Sequence, residues 1–100
     1  MKIHSLSVQH HPIMDQLAKR YVWWQPIHWA YQHPLIFLSN VMNLGSWTDI
    51  QLLRQIITDD ILIAVLKSSP AGQFSQRSWD FWHRKFFIRI RPLPKRRDLQ

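Results

Sequence analysis

Hydrophobic residues recur every three or four positions along most of this chain, which is the spacing of a helix with one apolar face. Apolar side chains follow this spacing from Ile13 to Trp24, and Pro12 suits the first position of a helix. The stretch between Pro26 and Pro34 has room for one short turn of helix, because both prolines interrupt a continuous helix. Pro34 then opens a third apolar segment, and Gly45 is predicted to end it in the left-handed conformation.

The clearest helix start in the chain lies at Ser46, with Asp49 three residues later. A serine at this position accepts a hydrogen bond from a free backbone N–H, and an aspartate in the first turn favours the positive helix end. The following helix is predicted to bury Trp47, Ile50, Leu53 and Ile57.

Two more helices are expected before the C-terminus. Thr58 is predicted to cap a helix whose core sequence, ILIAVLK, is apolar nearly all round, so we expect this helix to be central. Ser75 or Ser78 begins the last helix, which continues to about Phe87.

These patterns predict an all-α fold, a compact bundle of five or six short helices. The chain has 100 residues, the size of one small domain. We place a single helical domain at residues 1–90 and a basic, proline-containing tail at residues 91–100. The chain has no cysteine, no apolar N-terminal run and no apolar stretch of membrane length, so we expect a cytoplasmic protein that does not enter a membrane.

Positive charge is concentrated at the C-terminal end. The formal net charge is +7, and residues 77–100 carry eight basic and two acidic side chains. This last quarter therefore accounts for nearly all of the net charge, and a local concentration of this kind calls for a partner or a structural reason.

The sequence offers little catalytic or cofactor chemistry. The acidic residues are six scattered aspartates, and one of them, Asp80, is spaced for a helical ion pair with Arg77 or Arg84. No glycine-rich phosphate loop and no hydrolase-type serine motif is present. The six histidines are not spaced as a ligand set, so we expect surface and partly buried histidines, no metal, no cofactor and no enzymatic activity.

Nucleic-acid binding is the main alternative to protein binding. The two successive helices between Ser46 and Lys67 resemble a helix-turn-helix, but the second begins with Asp59 and Asp60, which carry the wrong sign for DNA phosphates. Any DNA contact is expected from the basic C-terminal cluster, through phosphates, and is therefore salt-sensitive.

The last helix combines an apolar stripe with aromatic residues outside it. Trp79, Trp82 and Phe86 form the stripe, in which Trp79 and Trp82 are predicted to be core, whereas Phe81 and Phe87 fall elsewhere on the helix. Aromatic residues exposed beside arginines are typical of protein interfaces. The predicted partner-binding residues are Phe81, Arg84, Lys85, Phe87, Arg89, Arg91, Leu93, Lys95, Arg96 and Arg97.

Four ordered segments carry a resemblance to a known family, and they read YVWWQ (21–25), VMNLGSWTDIQLL (41–53), AGQFSQRSWDFWH (71–83) and PLPKRR (92–97). Together they resemble small bacterial proteins encoded beside nucleotidyltransferase toxins of the abortive-infection type. The resemblance covers most of the chain from Tyr21 onward. It implies an antitoxin that binds and silences a toxin protein encoded next door. The oligomeric state is left open.

Overall fold

Prolines and polar caps divide the chain into short helices. The structure, a computed structural model, describes residues 8–69 and 72–94, and the regular structure within these ranges is entirely helical. The helices of these ranges are α1 (Pro12–Tyr21), α2 (Ile27–Gln32), α3 (Pro34–Leu44), α4 (Trp47–Ile56), α5 (Asp59–Ser68) and α6 (Gln76–Lys85). They pack into a compact bundle, so the predicted all-α fold is confirmed.

The first helix begins as predicted and ends early. Pro12 occupies its first position, and His11 Nδ1 accepts a hydrogen bond of 3.1 Å from the backbone N–H of Ile13. The helix stops at Tyr21 rather than at Trp24, because the backbone leaves the helical conformation at Val22, with φ −133° and ψ 44°. Trp24 and its neighbour Trp23 are consequently exposed in the turn.

The junction between α3 and α4 corrects one prediction and confirms another. Gly45 is not left-handed: its backbone is extended, with φ −63° and ψ 142°. Glycine is needed there for space, because an added Cβ would lie 2.5 Å from the carbonyl oxygen of Val41. The Ser46 cap is confirmed, since its hydroxyl accepts a hydrogen bond of 3.2 Å from the backbone N–H of Asp49.

The central helix is α3, not α5 as the apolar ILIAVLK sequence predicts. Helix α3 packs against each of the other five helices of the described ranges, and it buries five of its side chains. Those side chains are Phe37, Leu38, Ser39, Val41 and Met42. Helix α5 lies to one side of α3 and buries Leu62, Val65 and Leu66, while its other apolar residues are half-buried.

A buried carboxylate joins α1 to α4. Asp49 is 2 % exposed, and its two oxygens accept from Arg20 Nη1 at 2.6 Å and from the Tyr21 hydroxyl at 2.5 Å. The Tyr21 oxygen in turn accepts from the backbone N–H of Ser46 at 3.2 Å. The sequence explained Asp49 as a helix-start residue, and the structure shows that it also fixes the packing of two helices.

The same contacts determine the ionisation of Asp49. Burial is the largest single influence and by itself raises the pKa of the carboxyl. Hydrogen bonds from Tyr21, Arg20 and Ser46, with the charge of Arg20, together outweigh burial, so the pKa lies below its ordinary value. Asp49 therefore stabilises the fold as an anion.

Replacing Asp49 with asparagine tests this contact. Asp49→Asn should lower the free energy of unfolding by about 2 kcal/mol at pH 7, because the hydrogen bonds lose their charged acceptor. A group with a lowered folded pKa contributes above its unfolded pKa of about 3.9 and stops contributing as the pH falls through the folded value. The deficit of the variant should therefore shrink below about pH 4, measured by urea denaturation with tryptophan fluorescence.

The matched control is Asp59→Asn, which removes a more exposed carboxylate paired with Arg54 at 3.0 Å. This change should cost no more than about 1 kcal/mol. Equal costs for the two variants at pH 7 would contradict the role assigned to Asp49.

Candidate partner-binding surface

Two buried tryptophans fix the rotation of α6 about its own axis. Trp82 Nε1 donates a buried hydrogen bond of 2.9 Å to the carbonyl oxygen of Met42 in α3. Trp79 is 1 % exposed, and its Nε1 donates to the carbonyl oxygen of Arg91 at 2.6 Å. Phe86 is half-buried and stacks on Trp82, so the predicted apolar stripe is confirmed.

Polar contacts at the start of α6 hold the helix in the same orientation. The Ser75 hydroxyl accepts from the backbone N–H of Ser78 at 3.2 Å, which makes Ser75 the cap. Asn43 of α3 contacts both serines, through its side-chain oxygen to the N–H of Ser75 and its backbone oxygen to the hydroxyl of Ser78. The opposite side of α6 is thereby turned toward solvent.

The outward side of α6 carries an open groove with aromatic walls and a cationic rim. Its volume is about 560 Å³. The lining residues are Arg77, Phe81, Arg84, Lys85 and Phe87, and we call this surface the α6 groove. None of the described residues that line it is acidic.

The groove continues onto the start of α4 through an exposed tryptophan. Trp47 is 58 % exposed, which makes its predicted burial wrong, and Lys85 Nζ lies 5.7 Å from the centre of its ring. A smaller adjoining cavity is lined in part by Trp47, Arg77 and Phe81. Trp47 is the first residue of α4, and side chains at that position lean past the helix start instead of onto the core.

Phe87 lines the groove, and its backbone has an unusual conformation. Its φ is +55°, in the left-handed region, and its side chain is 97 % exposed. Its backbone N–H donates to the carbonyl of Arg84, and the next N–H, of Ile88, donates to the carbonyl of His83, both at 3.1 Å. This pair of bonds is a Schellman motif, which normally has glycine at the left-handed position. A bulky ring there costs stability and gains no burial.

After Phe87 the chain crosses back over the buried side of α6. Arg91 accepts the Trp79 hydrogen bond through its carbonyl, and its guanidinium lies 5.9 Å from the centre of the Trp79 ring. The guanidinium also donates a long hydrogen bond of 3.4 Å to the carbonyl of Leu66 in α5. Leu93 is half-buried against the core. We call residues 88–94 the C-terminal segment.

The structure divides the predicted partner-binding residues into separate groups. Phe81, Arg84, Lys85 and Phe87 lie together in the α6 groove. Arg89, Arg91 and Leu93 lie on the C-terminal segment, where Arg89 is exposed and the other two contact the helices. Lys95, Arg96 and Arg97 lie outside the described residues.

Sequence reasoning missed two residues of this surface, Arg77 and Trp47. Arg77 is four residues before Phe81 and so shares its helical face, a signal the sequence contains. The sequence instead paired Asp80 with Arg77 or Arg84, and that prediction is wrong, because neither arginine is among the ion pairs of the described residues. Asp80 accepts a hydrogen bond of 2.9 Å from Gln76.

A second polar cluster lies near the described N-terminal end, around Tyr31. Asp15 accepts from the Tyr31 hydroxyl at 2.7 Å and lies 3.1 Å from His10 Nε2, while His10 stacks on the Tyr31 ring. Burial first, and then the bond to Asp15, raises the pKa of Tyr31 to about 12. These contacts attach both α1 and the chain before it to α2, which gives the cluster a structural role.

The remaining polar groups of the described residues are not arranged as a binding or catalytic site. His83 is fully buried: its Nδ1 lies 2.7 Å from the carbonyl oxygen of Trp79, and its Nε2 has no partner among the described residues. Within residues 8–69 and 72–94, no three potential ligand side chains are grouped to hold a metal ion. No helix of these ranges is long and apolar enough to span a membrane.

Comparisons with known proteins found no matching protein-family model, curated protein or solved structure.

Substitutions at Phe87 test whether its left-handed backbone conformation lowers the stability of the fold. Phe87→Gly should raise the free energy of unfolding by about 1 kcal/mol, because glycine adopts the left-handed conformation without a Cβ clash. For a chain of this size the melting temperature should rise by about 4–8 °C, measured by circular dichroism.

Phe87→Ala is the matched control, since it removes the same exposed ring and keeps the Cβ atom. Its stability should stay within about 0.5 kcal/mol of the parent protein. Destabilisation by both substitutions to the same extent would show that the ring itself supports the fold, against the exposure described above.

Proposed function

We propose that this protein is the antitoxin of a toxin–antitoxin pair and neutralises a nucleotidyltransferase toxin by direct protein contact. The observation that carries the proposal is Phe87, an aromatic ring fully presented to solvent in a backbone conformation that disfavours it. Strain of this kind persists where function requires it. Exposed rings beside arginines are typical of the energetic centres of protein interfaces.

The charge of the surface indicates the chemistry of the partner. Arg77, Arg84 and Lys85 surround the aromatic residues of the groove, and Arg89 adds a further cation close by in the chain. An acidic protein surface would pair with these groups and would also be drawn to them at long range, which speeds association.

The family resemblance indicates which acidic protein to test. Nucleotidyltransferases hold a metal–nucleotide with clustered carboxylates, so their cleft is acidic when it is empty. In the proposed mechanism the basic C-terminal end fills that cleft, with Arg89, Arg96 and Arg97 pairing with carboxylates. Arg91 and Leu93, which the sequence also assigned to the partner, contact the helices in the free protein and anchor the base of this element.

Nucleic-acid binding is the second candidate, and the absence of carboxylates among the described groove residues favours it as well. Its binding would be dominated by phosphates and would fall steeply with salt. A contact centred on Phe81 and Phe87 would resist salt much better, because the burial of aromatic surface does not depend on counterion release.

Co-purification tests the proposed function. The full chain and a tagged product of the adjacent gene should co-elute as a stoichiometric complex on gel filtration in about 0.5 M NaCl, where weak attraction between charges is largely screened. Phe87→Gly should weaken this complex about tenfold or more by isothermal titration calorimetry, although it stabilises the free protein. Lys19→Glu, on the exposed side of α1, should leave the affinity unchanged.

Separate elution of two folded proteins would refute the antitoxin function. If the chain also binds DNA at low salt with an affinity that falls by orders of magnitude at 0.5 M, the nucleic-acid function would take its place.

A further inference from the structure

A second, smaller cavity adjoins the α6 groove where α3, α4 and α6 meet. Its volume is about 190 Å³, and Arg77 and Phe81 line both cavities. A cavity of about 150 Å³ can hold a molecule of benzene, so this one has room for one apolar side chain. We call it the Trp47 pocket, and its lining includes Met42, Trp47, Ile50, Arg77, Phe81 and Trp82.

The Trp47 pocket combines buried core residues with two exposed rings. Met42, Ile50 and Trp82 belong to the hydrophobic core and are almost fully buried. Trp47 and Phe81 are large and exposed, and Phe81 meets Trp82 edge to face with ring centres 5.3 Å apart. An apolar side chain that entered the pocket would contact apolar surface and would remove part of both exposed rings from water.

A cation lies on either side of this apolar surface. Arg77 lines the Trp47 pocket itself, and Lys85 Nζ lies 5.7 Å from the centre of the Trp47 ring. Arg77 precedes Phe81 by four residues and Lys85 follows it by four, so each cation is about 6 Å from Phe81 along the axis of α6. None of the described residues that line either cavity is acidic.

We propose that the Trp47 pocket and the α6 groove form one docking site for an acidic amphipathic helix of the partner, which inserts an apolar side chain into the pocket and pairs carboxylates with Arg77 and Lys85. This inference rests on the proposed function and adds to it the chemistry of the partner segment. A helix with a carboxylate, an apolar residue and a second carboxylate at four-residue intervals has the same spacing as Arg77, Phe81 and Lys85. Helices commonly bind other proteins by laying such a face into a groove.

Two other occupants fit the site less well. A second copy of the chain, paired symmetrically through this surface, would bring the same cations face to face, and like charges oppose association. A nucleic acid would find the cations but few free hydrogen-bonding groups in the pocket. The Ser78 hydroxyl already donates to the carbonyl of Asn43 at 3.1 Å, and Asn43 Oδ1 accepts from the N–H of Ser75 at 3.0 Å. A base buried there would leave polar edge groups without partners.

Two full-length variants test the site, each with a matched control. Trp47→Ala removes the exposed indole, and its control, Trp23→Ala, removes an exposed indole that lines neither cavity. Arg77→Glu reverses a charge in the first turn of α6, where an anion suits the helix end. Its control is Lys19→Glu, on the exposed side of α1. Affinity for the tagged adjacent-gene product is measured by isothermal titration calorimetry.

Both site variants should weaken the toxin complex, each by about tenfold or more. Trp47→Ala removes apolar surface from the pocket, and Arg77→Glu replaces an attraction to a carboxylate with a repulsion. The two controls should leave the affinity unchanged. If either site variant binds the toxin as tightly as the parent protein does, the docking inference is wrong while the antitoxin function stands.

A titration without the toxin decides the inference if no toxin complex forms. The first probe is a synthetic helical peptide with Glu, Leu and Glu at four-residue intervals, and the second is a scrambled peptide of equal composition. The ordered peptide alone should shift the NMR signals of the Trp47 indole and of the amides of Arg77, Phe81 and Lys85. The third probe is a single-stranded oligothymidine. Equal or absent shifts with the two peptides, or shifts with the oligonucleotide alone, would overturn the inference.

Discussion

The orientation of α6 is the constraint on which the surface of this protein depends. Trp82 is bonded to a carbonyl of the central helix, and Trp79 is bonded to the returning chain, so both indole N–H groups are satisfied inside the fold. A rotation of α6 by one residue would break both bonds and change which residues of the helix face solvent. Because the hydrogen bonds of the two indole N–H groups fix this orientation, Phe81 and its basic neighbours are exposed.

Phe87 marks the place where local preference and sequence disagree. At four other helix starts the chain follows local rules: prolines open α1 and α3, and serines cap α4 and α6, although Thr58 makes no side-chain cap hydrogen bond at the start of α5. At the end of α6 the motif favours glycine, and the sequence has phenylalanine. Conflicts of this kind concentrate at functional sites, because the fold gains nothing from them. The unfavourable backbone conformation of Phe87 is thus a stronger indication of function than the hydrophobicity of its side chain.

Local signals predicted most of the architecture, and what they missed at Asp49 and α3 depends on contacts between distant residues. The Ser46 cap and the Trp79–Trp82–Phe86 stripe depend only on neighbours along the chain, and both are confirmed. Asp49 has partners in α1 that no spacing within α4 reveals. The centrality of α3 likewise depends on how all helices pack and not on which helix is most apolar.

The candidate surface was predicted only in outline, for the same reason. The sequence placed exposed aromatics beside basic residues at the end of α6, and the structure brings four of the predicted residues into one groove. It also adds Trp47 from another helix. Sequence spacing gave no sign that the groove and the C-terminal segment are two surfaces. They are separate in the structure because the chain reverses direction at Phe87.

The positive field of the groove persists because none of the aspartates of the described residues lines it. Asp15 is bonded to Tyr31, Asp49 to Arg20 and Asp59 to Arg54, all on helices other than α6. Asp80 lies on α6 but is bonded to Gln76. Asp60 is exposed at the start of α5, and none of these carboxylates forms an ion pair with the outward cations of α6. Repulsion among these cations costs stability in the free protein, and an acidic partner would relieve it on binding. The charge distribution would therefore favour a complex with an acidic partner, through both the attraction gained and the repulsion removed.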